Sequence, residues 1–261
     1  MKKAFTWQAR CLHSVCAAAT VLIAHCPVAS AKSFIPDRAY FFEQCSTMTN
    51  FVMAGPDKAA RQGTTRIADN MRTAIARLFD TWEREGDTDK RRLAFILATA
   101  RRESMSTWRP VREAPQCGED ETCRERVIGT LLAARAARNH TAVPVNYALP
   151  APNGRRYYGR GYIQLTFQSN YERADRLLGT GTELRDDPDK VMELATAEVL
   201  LVRGMLLGWF GNHEPLSSYL GDGREDWIGA RKNVNPGSPN KPITAESAKE
   251  ILGCLRSASD S

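Results

Sequence analysis

The chain has 261 residues, enough for one large domain or two small ones, and a formal net charge of +6. Residues 1–31 hold three of its basic residues and none of its acidic ones, so the remainder carries only +3. That mild balance suits approach to an anionic cell wall but gives no indication of nucleic-acid binding, and no Ser-His-Asp or P-loop motif is present.

The N-terminus reads as an export signal. Lys2, Lys3 and Arg10 precede an apolar run from Val15 to Ile23, and Ala29-Ser30-Ala31 is an A-x-A cleavage pattern, with cleavage after Ala31. The apolar stretch is too short for a membrane anchor and is followed by His25 and Pro27, so no stable membrane insertion is expected after cleavage. His25 also stands before Cys26 where a lipoprotein signal needs a small residue. The expected location is secreted or periplasmic. Cys11, Cys16 and Cys26 leave with the signal, and Cys45, Cys117, Cys123 and Cys254 remain. Four cysteines in an exported protein allow two disulfides in three connectivities. The favoured pairing is Cys117–Cys123, closing a small acidic loop, with Cys45–Cys254 tying the two ends together. A zinc site is the alternative, but neither His140 nor His213 sits at ligand spacing from the cysteines, so no metal is expected.

Beyond the signal the pattern is mainly helical. Ile67, Met71, Ile75, Leu78 and Trp82 recur at helical spacing, predicting one or two helices over residues 58–85, ended by Gly86. A helix capped near Asp87 or Thr88 runs to Glu103, with Leu93, Ile96, Leu97 and Ala100 on its apolar face. Residues 120–137 read as a charged helix, and 139–155 as a loop rich in Asn, Pro and Gly.

The stretch Arg156-Tyr157-Tyr158-Gly159-Arg160-Gly161-Tyr162-Ile163-Gln164-Leu165-Thr166 is the most informative in the chain. Its alternation puts Gln164 and Thr166 on one face of an extended segment and Ile163 and Leu165 on the other, as in the wall of a sugar cleft. Pattern alone favours a Gly-rich turn into an ordinary half-buried strand. A helix follows through Glu172–Leu178, then Pro188 in a first turn after Asp187. Val191, Ala195, Val199, Val202 and Leu206 mark a largely buried helix, and shorter helices are expected over Trp227–Asn233 and Ala245–Leu255. One helical domain over residues 32–256 fits, with residues 257–261 an unstructured tail.

Glu103 follows Ile96 by seven residues and Ala100 by three, so the helix stripe carries it inward. Loss of hydration would raise its pKa and suit a general acid. Pairing with Arg101, Arg102 or Arg112 is the structural alternative. Tyr157, Tyr158, Tyr162, Trp108 and Tyr171 offer rings that can cover the apolar face of a sugar, although each taken alone reads as core before cleft.

The Gly-rich run, continued through Phe167-Gln168-Ser169-Asn170-Tyr171, closely resembles the signature of the family 19 glycoside hydrolases, the chitinases and related phage and bacterial endolysins. Ala98-Thr99-Ala100-Arg101-Arg102-Glu103-Ser104 resembles the helix end that carries the family's acid, with Arg102 where a histidine is usual. Glu113 resembles the second carboxylate of the shorter, phage-like members, whereas Glu125 better matches the longer spacing of plant-type chitinases; Glu113 is favoured. Asp226-Trp227-Ile228-Gly229-Ala230-Arg231-Lys232-Asn233-Val234-Asn235-Pro236-Gly237 resembles the last family motif, with Asn235 as its substrate-contacting asparagine, although Pro236 stands where a glycine is frequent. Arg231 would bind a substrate carbonyl or pair with a carboxylate.

The resemblance implies a mostly α, lysozyme-like helical domain with a small β element beside the substrate cleft. It implies an inverting hydrolase of β-1,4 links in N-acetylglucosamine-containing polymers, chitin or peptidoglycan, acting as a monomer without a cofactor. Glu103 would protonate the glycosidic oxygen, Glu113 would activate water held by Thr166, and Gln164 and Tyr158 would contact sugar or water. A lytic transglycosylase and a catalytically silent glycan binder are the alternatives.

Overall fold

The computed structural model describes residues 33–55 and 57–260; the export signal and its cleavage point at Ala31 lie outside them. In chain order the elements are α1 (Arg38–Gln44), β1 (Thr47–Gly55), β2 (Lys58–Arg66), α2 (Asp69–Glu85), α3 (Lys90–Glu103) and β3 (Val111–Arg112). Then come α4 (Glu121–Asn139), β4 (Arg160–Gly161), α5 (Gln168–Leu178), α6 (Glu183–Asp186) and α7 (Leu194–Leu206). The chain finishes with β5 (Leu220–Gly221), β6 (Arg224–Glu225) and α8 (Lys241–Gly253), and short 3₁₀ turns fill several connections. The fold is mostly α, and its sheets are three separate antiparallel pairs.

Helix α3 is the central element. Asp89 caps it by accepting from the Arg91 N–H, one or two residues later than the sequence pattern placed the cap. Leu93, Phe95, Ile96 and Leu97 are fully buried, each contributing about 1.5–3 kcal/mol relative to exposure. Ala94 and Ala98 are buried as well, so the helix is enclosed on nearly all sides and not along one stripe. It packs against α8, α7 and α2. Trp82 of α2 is buried and donates its indole N–H to the Phe34 carbonyl at 2.9 Å. Gly86 ends α2 because a side chain there would run into the Trp82 ring.

Four expectations change. Residues 58–66 form strand β2, not helix, paired with β1 in register Thr47↔Arg66 through Gly55↔Lys58. Those residues have no apolar period of their own, and the threonines at 47, 49, 64 and 65 favour extended backbone. Glu250 of α8 accepts from the Thr49 N–H and hydroxyl, and Arg101 of α3 donates to the Thr49 carbonyl, so the ribbon is fastened to two helices.

Helix α7 buries Ala197, Leu200, Leu201, Val202 and Met205, while Ala195 is exposed. Its rotation follows Glu198, which is buried against α2 by bonds from Arg77 Nε at 2.8 Å and the Thr81 hydroxyl at 3.1 Å. The Gly-rich signature is a strand only at Arg160–Gly161, and the chain then turns through Tyr162–Gln164 until Leu165 pairs back with Arg160. The tail is held instead of loose: Ser257 bridges Pro36, and the Ala258 N–H donates to the Ile35 carbonyl at 2.9 Å. The Cys45–Cys254 bond and an Arg256–Asp37 ion pair bring that end beside α1.

Both favoured disulfides are present, Cys45–Cys254 across 209 residues and Cys117–Cys123 across six.

Candidate active site

Glu103 is the last residue of α3, carried there by the turn-by-turn repeat of Ile96 and Ala100. The chain reverses immediately afterward, with Met105, Ser106 and Trp108 all in left-handed conformations (φ 52°, 65° and 58°). Ser104 holds this reversal by accepting from the Trp108 N–H at 2.9 Å. The Glu103 side chain is 16% exposed and pairs with Arg231, which is 2% exposed. Its partner is therefore none of Arg101, Arg102 or Arg112, but an arginine from a distant 3₁₀ turn over Gly229–Asn233.

Burial depresses the Arg231 guanidinium, and the Glu103 charge opposes that effect. Its Nε and Nη1 have no hydrogen-bond partner among the described residues. Glu103, Arg231 and Asn235 line one cleft of about 530 Å³, with Arg102, Arg135 and Asn50 on its other sides.

Glu113 follows β3 and is fixed against the Gly-rich turn. Its N–H donates to the Gly159 carbonyl at 2.7 Å, and its carboxylate accepts from the Gly159 N–H at 3.0 Å. The Tyr147 hydroxyl donates to the other carboxylate oxygen at 2.8 Å. Burial, then the neighbouring Glu113 charge and hydrogen bond, pushes the Tyr147 phenol well above its ordinary value and keeps it a donor.

Gln164 completes this group, with Nε2 donating to the Val111 carbonyl at 3.0 Å and the Gly161 carbonyl at 3.2 Å. A Cβ on Gly159 would lie 2.7 Å from Gln164 Oε1 and 3.0 Å from Glu113 Oε2, so glycine is what allows the two side chains to meet there. Gly161 has a different reason: its φ is +82° and a Cβ would press on Val191 at 3.0 Å.

Gln164 itself adopts φ 53°, which the strand reading did not foresee. The sorting survives only in degree: Ile163 and Leu165 are buried and Gln164 and Thr166 half-buried, and all four line a second cleft of about 210 Å³ with Asn170, Arg173, Trp209 and His213. Residues 231–235 run between the clefts, since Arg231 and Asn235 face the first and Val234 the second. Asn233 anchors that segment by donating to the Met205 carbonyl at 3.0 Å and the Glu214 carbonyl at 2.6 Å.

Other expected residues sit elsewhere. Glu125 is tied to Arg156 at 2.8 Å, and the same guanidinium nitrogen also donates to the Ala148 carbonyl. Tyr158 cannot meet a sugar as placed: it is fully buried between Arg160, 3.6 Å above the ring, and Arg124 at 4.6 Å, and its hydroxyl donates to Glu121. Burial pushes its phenol up to about 12. Tyr157, Tyr162, Tyr171 and Trp108 are likewise buried, with the Tyr162 hydroxyl donating to the Trp108 carbonyl. These rings build the turn from behind.

Tyr147 and Phe167 are the aromatics that sequence reasoning missed, packed edge to face at 5.0 Å. Tyr147 lies in a polar loop without periodicity, so nothing but its place near Glu113 in three dimensions distinguishes it. Arg135, on a solvated face of α4, was missed for the same reason; it lines the Glu103 cleft, and its charge also acts on Tyr147. Among the described residues no group of His, Cys, Asp and Glu is arranged to hold a metal.

The chain is 50% identical over 54 residues to an acidic 26 kDa endochitinase of Solanum lycopersicum, covering 21% of this chain and 20% of that protein. It is 26% identical over 174 residues to endochitinase A2 of Pisum sativum, covering 66% and 48%. The chain thus spans about half or less of the length of these relatives. A crystal structure of a chitinase C mutant aligns with 86% of this chain and 95% of that one, at 16% identity and a TM-score of 0.39. The profile of glycoside hydrolase family 19, described as chitinase class I, matches residues 46–220, most of the chain and every part of the Glu103, Glu113 and Gly-rich segments. The chain belongs to glycoside hydrolase family 19.

Proposed function

We propose that this protein is an exported, monomeric glycosidase that hydrolyses β-1,4 links in N-acetylglucosamine-containing polymers with inversion at the anomeric carbon. The observation that carries the reading is the fixed position of Glu113. Its carboxylate accepts from the Gly159 N–H and the Tyr147 hydroxyl, beside Gln164, while Glu103 lines the cleft it shares with Arg231 and Asn235. Arg135 connects the two groups, because it lines the Glu103 cleft and acts electrostatically on Tyr147.

In this mechanism Glu103 gives its proton to the glycosidic oxygen as the C1–O bond breaks. Glu113 takes a proton from water as that water bonds to C1 from the opposite face. The Thr166 hydroxyl makes no hydrogen bond among the described residues and faces the second cleft with Gln164, which suits it to hold the water. Asn235 contacts substrate from the first cleft. For Glu103 to carry the proton its pair with Arg231 must open. The two disulfides support an oxidising compartment.

The Glu103–Arg231 pair also supports a second reading, a silent glycan binder in which that pair never opens. Mass spectrometry of products from chitooligosaccharides and peptidoglycan, with wild type and Glu103→Gln, separates these readings. Reducing-end products from wild type alone are expected. Anhydro-sugar products would move the protein to lytic transglycosylation, and binding without cleavage by wild type would leave a glycan binder.

A further inference from the structure

Tyr157, Tyr158, Tyr162, Tyr171 and Trp108 are buried, and none of them lines the Glu103 cleft. Among the described residues that do line it, Phe51 is the only aromatic one. It comes from β1, outside every segment that carries the Gly-rich turn, and it is half-buried. It packs against neither of the two apolar clusters that form the core. The apolar surface of this ring is therefore turned to the cleft and not spent on the fold.

The ribbon holds the ring in a fixed place. Cys45, just before β1, is bonded to Cys254, just after α8. Thr49 is fastened to Glu250 of α8, and Asn50 accepts from Arg101 of α3 at 3.1 Å while donating to the Thr65 hydroxyl across the ribbon at 3.0 Å. Phe51 comes next, and there the register slips. Asn50 pairs with Gly63 and Phe51 with Arg61, which leaves Gln62 as an extra residue on β2, beside a glycine at φ +135°. A bulge of this kind bends a ribbon and increases its twist. Thr49, Asn50 and Phe51 accordingly all line the cleft, where a flat strand would present only alternate residues to it.

The other walls supply polar groups, among them Asn235, Asn240 and Ser247. One fixed ring among polar groups suits a pyranose, whose C–H face lies on the ring while its hydroxyls and amide reach the polar side chains. Resting on the glycosidase reading above, we infer that Phe51 is a specificity-determining residue, the platform on which one sugar of the glycan stacks, and that the β1–β2 ribbon is a wall of the substrate site. The stack is made in the ground state and the transition state alike, so it sets KM and leaves the chemical step to Glu103 and Glu113.

The test replaces the ring by Phe51→Ala, Phe51→Leu and Phe51→Trp and uses whichever of chitohexaose and soluble peptidoglycan strands the wild type cuts faster. Phe51→Ala and Phe51→Leu are expected to raise KM about tenfold with kcat changed less than about twofold, and Phe51→Trp to keep the wild-type KM. Leucine keeps apolar contact without a flat face, so its failure separates stacking from contact alone. Melting temperatures should stay within a few degrees of wild type, since the ring lies outside the core. A second measurement needs no turnover. Phe51→Trp on the Glu113→Gln background places an indole at the cleft, and its emission should move to the blue when glycan is added, beyond the change seen in Glu113→Gln alone.

Wild-type KM in a folded Phe51→Ala protein overturns the inference while the glycosidase reading stands. If Phe51→Ala melts well below wild type, the indole decides: a blue shift upholds the stack, and no shift overturns it. If wild type cuts neither glycan, the glycosidase reading fails and co-sedimentation with chitin and with sacculi decides the inference by itself. Weaker retention of Phe51→Ala than of wild type upholds it; equal retention, or none of either protein, ends it.

Discussion

Gly159→Ala is the most informative single substitution, because its effect is predicted from two distances. The added Cβ would stand 2.7 Å from Gln164 Oε1 and 3.0 Å from Glu113 Oε2. Ordinary contact needs about 3.4 Å or more, so the Gln164 amide must retreat by about 0.7 Å and the Glu113 carboxylate by about 0.4 Å. Gln164 is held by two hydrogen bonds to backbone carbonyls, and losing one costs about 1 kcal/mol. The narrower unfolded ensemble of alanine returns about 0.4–1 kcal/mol, so net destabilisation should not exceed about 1 kcal/mol. Activity is expected to suffer more, because misplacing a reacting group by about 1 Å costs about a hundredfold. A fall in kcat of about tenfold to a hundredfold is expected, with a melting temperature within a few degrees of wild type. Reducing-end release on a soluble oligosaccharide, beside a thermal melt, measures both. Wild-type kcat in a folded Gly159→Ala protein would refute the placement of Glu113 and Gln164 in the reaction.

Gly161→Ala should show the opposite balance, losing stability because a side chain there is strained at φ +82° and meets Val191; chemical denaturation checks it. Tyr147→Phe removes a 2.8 Å bond to Glu113 and should lower kcat about tenfold with a stability change of about 1 kcal/mol, read by kinetics and melting. Removing Cys45–Cys254 frees a loop of 209 residues and should cost about 5 kcal/mol on the chain-entropy account, against about 2 kcal/mol for Cys117–Cys123, as denaturation of the serine variants would show. Partial burial opposes ionisation of Asp189, but Arg160 and Arg112 outweigh it and hold the carboxyl below its ordinary 3.8. Its contribution is therefore present above the unfolded value and lost as pH falls through the lower folded one. Melting curves from about pH 7 to about pH 2 should show Asp189→Asn losing less stability in acid than wild type.

The helices were legible where apolar residues recur at helical spacing between polar ends. α4 opens at Asp120, where the charged stretch begins, and α3 is capped one or two residues later than expected, with Leu93, Ile96, Leu97 and Ala100 all buried. The β1–β2 ribbon was not, because most of β2 is exposed and its stability lies in backbone bonds and in Glu250 and Arg101, which meet it only in three dimensions. The Gly-rich turn was half legible: alternation ranked its side chains correctly by burial, but the left-handed Gln164 gives no sign in a pattern of apolar and polar letters. The tyrosines are core, as each reads when taken alone, and only the cleft role given to Tyr158 fails. Their hydroxyls are satisfied inside, by Glu121, the Trp108 carbonyl and the Tyr158 carbonyl, so rings with a polar tip can be core. Tyr147, the phenol that touches a candidate catalytic group, comes from the loop with the weakest pattern.

The Glu103–Arg231 pair gives the site a stability signature of unusual sign. Where a catalytic acid is buried without a partner, replacing it by its amide relieves the fold. Here the guanidinium is 2% exposed and Glu103 is its only charged partner among the described residues. Glu103→Gln keeps a carbonyl that can still accept one bond but leaves the arginine's charge uncompensated in a desolvated place, with two of its nitrogens already unpartnered. Breaking a fully buried pair costs about 3–5 kcal/mol; with the Glu103 side chain 16% exposed and one bond retained, about 2 kcal/mol is expected. Arg231→Met, which removes the charge and fills similar space, should be less destabilising when made on the Glu103→Gln background than on wild type, because each then loses a partner already absent. Urea denaturation of the four proteins in this cycle measures the coupling. A Glu103→Gln protein more stable than wild type, or a cycle with no coupling, would show that the pair does not hold this end of α3. The acid would then be free before substrate arrives, with no gate for substrate to open.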